Sequence, residues 1–301
     1  MIDISIIIVN YNVKEFIIPC IKSIIDYSPN NLSIEIIVVD NNSNDESVIS
    51  IATKFPNTKL ILNDKNIGFS KGVNKGAKAA DGKYLYILNP DTELLDDNFT
   101  QLIKVIEINN NIAVLGPAIY SKSNKLQRSY WRKPSLYNTL LSIMNLEFFN
   151  WMKNYNGFTF NNPTEVESIS GAAFFVNASL FNSIGGFDPK LFWMEDIDFC
   201  IRISKMGYKT YYLPACKVLH YRGKSSEKNW TDTIINQLMS KIKYFYKHHS
   251  PLETNILKIA IFNISVIKSL LFLIIAPISI KYRNKLYGYV FVIKKILLND
   301  Y

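Results

Sequence analysis

Ile4-Ser5-Ile6-Ile7-Ile8-Val9-Asn10-Tyr11-Asn12 decides the fold. Residues 4–9 form an almost unbroken β-branched run that stops at a polar, glycine-free loop. An apolar run this short, with no polar alternation, reads as an inner strand whose two faces are both covered. The pattern returns at residues 34–40, 59–63 and 83–89, and stretches with helical spacing lie between, at 14–27, 45–55 and 70–80. Strands alternating with helices predict βαβ units and a mainly parallel sheet in an α/β fold. A fourth helix is expected at 97–109, capped by its Asp pair, and a further strand at 112–120.

Three hundred and one residues, 48% of them hydrophobic, allow one large α/β domain or two domains and exclude collagenous, disordered and disulfide-stapled classes. Cys20, Cys200 and Cys216 are far apart, form no CxxC pair and follow no secretory signal pattern, so buried thiols in a reducing compartment are expected. Beyond residue 120 the alternation fades. Residues 121–164 gather Tyr130, Trp131, Phe148, Phe149, Trp151, Tyr155 and Phe158, as a lid on the core or a substrate-facing surface. A strand at 169–176, the turn Gly185-Gly186-Phe187-Asp188-Pro189, a helix at 195–206, two short strands at 210–213 and 217–220, and a helix at 231–248 follow.

The net charge of +9 is unevenly spread: residues 1–216 hold 20 Lys+Arg and 21 Asp+Glu, residues 217–301 hold 14 and 4. The basic residues of that last quarter flank long apolar runs. Residues 256–280 are long enough to cross a bilayer, but Lys268 at the centre costs about 2.5–3.5 kcal/mol there. On a helical wheel Lys258, Ser265, Lys268 and Ser269 share one arc and Ile, Leu and Phe fill the rest, as in a helix lying in a membrane surface. A second apolar stretch, 286–298, follows. Monotopic attachment to the cytoplasmic face of the membrane is expected, with ordinary domain helices or a dimer interface as the alternative. Nucleic acid is not expected as a partner, because the basic residues are interspersed with bilayer-sized apolar runs.

Several common sites are missing from the sequence. There is no GxG fingerprint, no P-loop spacing, no GxSxG elbow and no HExxH helix. Carboxylates at strand ends remain. Ligands of parallel sheets bind beyond the carboxyl ends of the strands, where Asp40 closes the second strand, Asp91 follows the fourth in Asn89-Pro90-Asp91, and Asn10-Tyr11-Asn12 follows the first. Each Asp singly also suits a helix cap or turn. Gly68, Gly72 and Gly76, spaced by four after Asn66, leave one helix side bare for a ligand or for a helix-to-sheet seam.

In Phe192-Trp193-Met194-Glu195-Asp196-Ile197-Asp198, three carboxylates meet a helix N-terminus, and Asp198 can pair with Arg202. An apolar wall of Phe192 and Trp193 beside Asp196 would raise that carboxylate's pKa and suit a general base. His220 closes a strand and is placed to join Asp91 around a divalent ion, or to be a hydrogen-bonded structural histidine.

Taken together, Val9-Asn10-Tyr11-Asn12, Val39-Asp40-Asn41-Asn42-Ser43, Asn66-Ile67-Gly68-Phe69 with Asn74, Asn89-Pro90-Asp91, Gly185-Gly186-Phe187-Asp188, Glu195-Asp196-Ile197-Asp198 with Arg202, and His220 resemble the family 2 glycosyltransferases of GT-A fold, especially their rhamnosyltransferase-like branch. The resemblance spans residues 3–222. It implies a GT-A catalytic domain at 1–222, with a nucleotide-sugar half at 1–120 and an acceptor half at 121–222, followed by a basic helical tail at 223–301. It implies donor contacts from Asn10, Tyr11, Asp40, Asn66, Gly68 and Asn89. A divalent metal, Mg²⁺ or Mn²⁺, would lie on Asp91 and His220, with Asp196 as base. Trp193, Glu195, Asp198 and Arg202 would orient the acceptor. The family's metal motif is often Asp-x-Asp, and here Asn89 takes the first place.

The implied reaction is inverting transfer of a sugar from a dTDP- or UDP-linked donor to a hydroxyl of a glycan or lipid-linked acceptor, in bacterial cell-surface polysaccharide synthesis. The Asn-Pro-Asp form points to rhamnose. A hexosyl or galactofuranosyl donor, and a nucleotide-sugar-binding module without turnover, are the alternatives.

Overall fold

The structure, a computed structural model, describes residues 2–146, 160–221 and 230–300. Phe148, Phe149, Trp151, Tyr155 and Phe158 of the aromatic insert lie outside them. The chain forms two compact units: Met1–Lys133 with Phe158–Pro189 and Glu195–Ser225, and Pro134–Gly157 with Lys190–Met194 and Ser226–Tyr301.

The first unit opens with β1 (Ile4–Asn10), α1 (Lys14–Asp26), β2 (Ile34–Asp40), α2 (Ser47–Lys54), β3 (Lys59–Leu62), α3 (Phe69–Lys78) and β4 (Tyr84–Leu88). Strands β3, β2, β1 and β4 run parallel side by side, and every residue of β1 is buried. Its alternate side chains serve opposite layers: Ile4, Ile6 and Ile8 join the cluster formed with Ile17 and Ile21 of α1, while Ile7 and Val9 meet α3. A Cβ on Gly72 would sit 2.9 Å from Val9, and one on Gly76 2.6 Å from Ile7. Those two glycines are therefore the helix-to-sheet seam.

Further on come β5 (Thr92–Leu94), α4 (Asn98–Ile108), β6 (Ile112–Tyr120), β7 (Leu126–Gln127), β8 (Tyr130–Trp131) and α5 (Leu136–Ile143). After them lie β9 (Thr164–Val166), β10 (Ser168–Ile169), β11 (Ala173–Asn177), α6 (Ala178–Ser183), α7 (Glu195–Ser204) and β12 (Lys209–His220). Asp97 caps α4 by accepting from Thr100 N, as expected. Among the described residues the sheet order is β3-β2-β1-β4-β11-β6-β12-β5, with β7 on β6 and β9 on β12.

The longer ladders are parallel, as expected, and antiparallel pairings are mixed in where β11 joins β4 and β6 and where β5 joins β12. The expected strand at 169–176 is two, β10 and β11, broken at Ser170-Gly171. The two short strands expected at 210–213 and 217–220 are one, β12, whose register slips between Leu213 and Lys217, where Pro214 has no N–H to give the ladder. All three cysteines are free and buried.

In the second unit α5 is joined by α8 (Trp230–His248), α9 (Pro251–Ile275) and α10 (Ile280–Leu297). Helix α9 starts five residues earlier than its apolar run: Ser250 and Glu253 form a capping box, and Pro251 occupies the first turn. It ends in a short 3-10 turn at Ala276–Ile278. Gly288 lets α10 approach Ile234 of α8, and the Phe272 and Tyr289 rings stack 5.8 Å apart.

On α9, Leu257, Ile261 and Ser265 are buried, whereas Ile259, Ile267, Leu270, Leu273 and Ile274 are exposed. The expected polar arc thus faces inward and the apolar face outward. By length and composition Pro251–Ile278 is able to cross a membrane.

Candidate active site

Asn10 ends β1 and is fully buried; its Nδ2 donates to Asp40 Oδ1 at 2.7 Å and Ser47 Oγ at 2.7 Å, with Ser43 Oγ at 3.1 Å. Its Oδ1, also buried, has no hydrogen-bond partner among the described residues. Asp40, at the end of β2, accepts in addition from Ser43 N at 2.9 Å and Ser43 Oγ at 2.6 Å. The Asp40 carboxylate thus folds the loop after its own strand and fixes Asn10 beside it, while Tyr11, next in the chain, is 43% exposed. Ser47, on α2, is the member of this network that the sequence did not single out.

Asn66 Oδ1 accepts from Gly68 N at 2.9 Å. Gly68 precedes α3 at φ 84° and ψ 166°, a conformation confined in practice to glycine, although a Cβ there would meet nothing within 4 Å. Conformation, not space, requires glycine at this position.

Asn89 N donates to Ala172 O at 2.9 Å, while its side-chain amide makes no hydrogen bond among the described residues. Two residues on, Asp91 Oδ1 lies 3.3 Å from His220 Nε2. Pairing of β5 with β12 makes that meeting, setting His220 opposite Thr92, and Tyr221 N donates to Asp91 O at 3.0 Å. A cavity of about 600 Å³ opens on His220 and Tyr221. Among the described residues there is no group of three or more His, Cys, Asp or Glu side chains able to hold a metal ion. An Asp91–His220 seat offers one carboxylate and one imidazole, a donor set that fits a hard cation drawing its other ligands from a diphosphate and water.

Asp196 is the second residue of α7. Its Oδ2 accepts from Gly171 N at 2.7 Å, and its Oδ1 from Ile197 N at 2.7 Å. Burial is the leading influence and pushes its pKa up to about 6, against the backbone N–H groups that favour the ionised form. The residue as a whole keeps some exposed surface, so the carboxyl is enclosed without being sealed. Gly171 was missed in the sequence; a glycine interrupting a strand-like run, which marks a break or a close backbone approach, was the available signal.

Glu195 is buried at the same helix start. Asp198 is fully buried and accepts from Arg202 Nε at 2.8 Å, while Arg202 also donates to the Ile184 and Gly186 carbonyls. The pair therefore pins α7 to the turn at 185–187. Phe192 and Trp193 belong to the second unit. Their rings stack at 5.6 Å, and Trp193 adopts a φ of 66°, which costs a bulky residue about 1–3 kcal/mol.

The first-unit residues share one edge. Strand register sets Asn10 beside Asp40 and Ile8 beside Leu88, so β1, β2 and β4 end together. Antiparallel β11 starts at that edge, with Ala173 opposite Leu88. Asn89 bonds Ala172, and the neighbouring Gly171 bonds Asp196. Asn10, Asp40 and Asn89, the Asp91–His220 pair and the Asp196 carboxyl, with its pKa pushed up to about 6, thus converge on the carboxyl ends of the parallel strands, where α/β sheets bind ligands.

The sheet and its flanking helices are those of a GT-A fold, and the chain belongs to glycosyl transferase family 2, whose family model matches residues 5–184. It is similar to N-acetylglucosaminyl-diphospho-decaprenol L-rhamnosyltransferase of Mycobacterium tuberculosis, 26% identical over 213 residues that make up 65% of this chain and 69% of that protein. The rhamnosyltransferase WbbL of Escherichia coli is 28% identical over 175 residues, 57% of this chain and 65% of that one. Among solved structures, a mannosyltransferase of Pyrobaculum calidifontis in complex with GDP-Man and Mn²⁺ matches with a TM-score of 0.57 at 16% identity, over 99% of this chain and 88% of that chain. GalNAc-T7 with UDP, GalNAc and Mn²⁺ matches at 0.57 and 19% identity, over 73% of this chain but 44% of its own. These last two likenesses place the fold.

Proposed function

We propose that the protein transfers a sugar, rhamnose by the likeness to rhamnosyltransferases, from a nucleoside diphosphate to a hydroxyl of a lipid-linked glycan, with inversion. The convergence of Asn10, Asp40, Asn89, Asp91, His220 and Asp196 on one sheet edge is the observation that carries this reading. Tyr11 offers an exposed ring to stack on a base, Asn10 and Asp40 hold the loop that presents it, and the Asn89 amide is open to the sugar or phosphate. Asp196 takes the acceptor's proton as the hydroxyl oxygen bonds to the anomeric carbon and the bond to the diphosphate breaks, its electron pair leaving on the diphosphate oxygen. With a pKa of about 6 the base is mostly ionised at neutral pH yet more basic than an ordinary aspartate. Glu195, Asp198 and Arg202 position α7, and so the base. A divalent cation on Asp91 and His220 would supply charge neutralisation to the departing diphosphate.

The acceptor class rests on the mycobacterial relative, whose name specifies a diphospho-decaprenol, and on α9. Its exposed apolar face, with Lys243 and Lys247 before it and Lys281 and Arg283 after, suits a helix lying on an anionic cytoplasmic leaflet. Product analysis with a panel of dTDP-, UDP- and GDP-sugars and a prenyl diphosphate-linked acceptor tests the assignment: transfer with inverted anomeric configuration supports it, and donor binding without transfer to any acceptor overturns it.

A further inference from the structure

Residues 254–299 carry seven Lys and Arg and no Asp or Glu, so α10, and α9 beyond its first turn, supply no carboxylate of their own. Three of those cations gather on aromatic rings. Lys281 and Lys285 of α10 both hold their ammonium groups over the Trp230 ring of α8, 5.2 and 4.5 Å from its centre, and Lys285 also stands 5.7 Å from the Phe272 ring of α9. Phe272 stacks with Tyr282 at 6.0 Å and with Tyr289 at 5.8 Å, and the Lys268 ammonium lies 5.3 Å from the Tyr289 ring centre. The one hydrogen bond among the three ammonium groups is a long one, 3.4 Å from Lys268 to Ile143 O, and no carboxylate pairs with any of them among the described residues.

Such a row repels itself. Burial, and then the Lys285 ammonium, hold the Lys268 pKa below the ordinary lysine range; burial, and then the Lys281 ammonium, do the same to Lys285. A ring face attracts a cation through its quadrupole but carries no net charge, so it offsets only part of that cost. An anion set among the three would relieve the rest. The same turn indicates what carries the anion. Residues 269–280, between Lys268 and Lys281, hold no charged side chain, and Leu270, Leu271, Leu273, Ile274, Ile278 and Ile280 each leave more than half of their surface exposed. A free phosphate leaves that surface bare. A phospholipid covers it with acyl chains and brings its phosphate to the ammonium groups.

We propose that the α9–α10 turn is the point at which the protein enters an anionic leaflet: Lys268, Lys281 and Lys285 seat the phosphate of an acidic phospholipid, and the aliphatic side chains of residues 270–280 insert beside its acyl chains. The inference rests on the membrane contact proposed above and gives that contact one headgroup site. Trp230, Tyr282 and Tyr289 suit the same depth, since rings with a polar edge favour the boundary between headgroups and chains.

The test is co-sedimentation of the full-length protein with phosphatidylcholine vesicles that contain or lack phosphatidylglycerol. Lys281→Gln with Lys285→Gln should weaken binding to the phosphatidylglycerol vesicles by about thirtyfold or more. Lys294→Gln with Lys295→Gln, in the last turn of α10, removes the same charge and should weaken it by about threefold at most. Lys281→Arg with Lys285→Arg should keep most of the affinity, because the charge stays. Brominated phosphatidylglycerol should quench the Trp230 emission, taken as the difference between the wild type and Trp230→Phe, a measurement that leaves every lysine in place. Equal losses in the two glutamine variants, an unquenched Trp230, or wild-type binding that ignores phosphatidylglycerol overturn the headgroup site and leave the membrane contact standing. A wild-type protein that sediments with neither kind of vesicle overturns both.

Discussion

The edge of the sheet and the face of α9 treat their polar groups in opposite ways. At the edge, Asp40 is bonded to Asn10 and twice to Ser43, and Asp196 holds two backbone N–H groups. On the helical unit, the Lys268 and Lys285 ammonium groups meet ring faces and one distant carbonyl, and large aliphatic side chains stand in the open. A region whose groups are tied down before the substrate arrives is preorganised for chemistry. The exposed apolar surface of the helical unit is what the proposed membrane contact would cover.

The largest effect separating the two regions is expected at the base. Asp196→Asn should lower turnover by about 10²–10⁴-fold while donor binding, read by thermal shift with UDP-sugars, persists; retained turnover would remove Asp196 from the chemistry. Ile267→Glu with Leu270→Glu should abolish sedimentation with anionic vesicles, since each apolar side chain contributes roughly 1.5–3 kcal/mol on burial, and should spare donor binding. Undiminished retention on vesicles would mean that the apolar face of α9 is not the contact. Gly76→Val presses a side chain into Ile7 and should cost about 1–3 kcal/mol of stability, seen as a lower melting temperature, whereas the same change at the exposed Ile267 should be nearly silent.

The smallest effect is a pH dependence. Because the Asp196 pKa is raised and the ionised form is the active base, kcat/KM should climb through about pH 6 and level off above it. By linkage the same shift works against the fold: protonated Asp196 is favoured in the folded state, so its contribution to stability declines between about pH 4 and pH 6 as the carboxyl ionises. An activity profile without an inflection near pH 6 would point to a different base.

The sequence made β1, β2 and β6 legible because unbroken β-branched runs have few other uses, and it made the strand-end carboxylates legible because ligand sites of such sheets have a known edge. Hydrogen bonds between distant points of the chain left no periodic trace. Gly171 and Asp196 are 25 residues apart, and Asp91 and His220 still further, so only the folded register joins them. The apolar run at 256–280 does not mark where α9 starts; the capping box in Ser250-Pro251-Leu252-Glu253 does, and it is a signal of cap chemistry rather than of apolar periodicity. Three-residue β5 was missed for the opposite reason: a strand so short is specified by its partner β12, not by its own residues.

Asn74 of α3 clasps Phe187 through both its backbone groups, at 2.8 and 2.9 Å, and a Cβ on Gly186 would lie 2.3 Å from the Asn74 oxygen. Arg202 grips the same turn from α7. One short bend therefore acts as a rivet between the helix that follows Gly68 and the helix that bears Asp196. Four hydrogen bonds that the chain makes with itself thereby hold the two helices at a fixed separation.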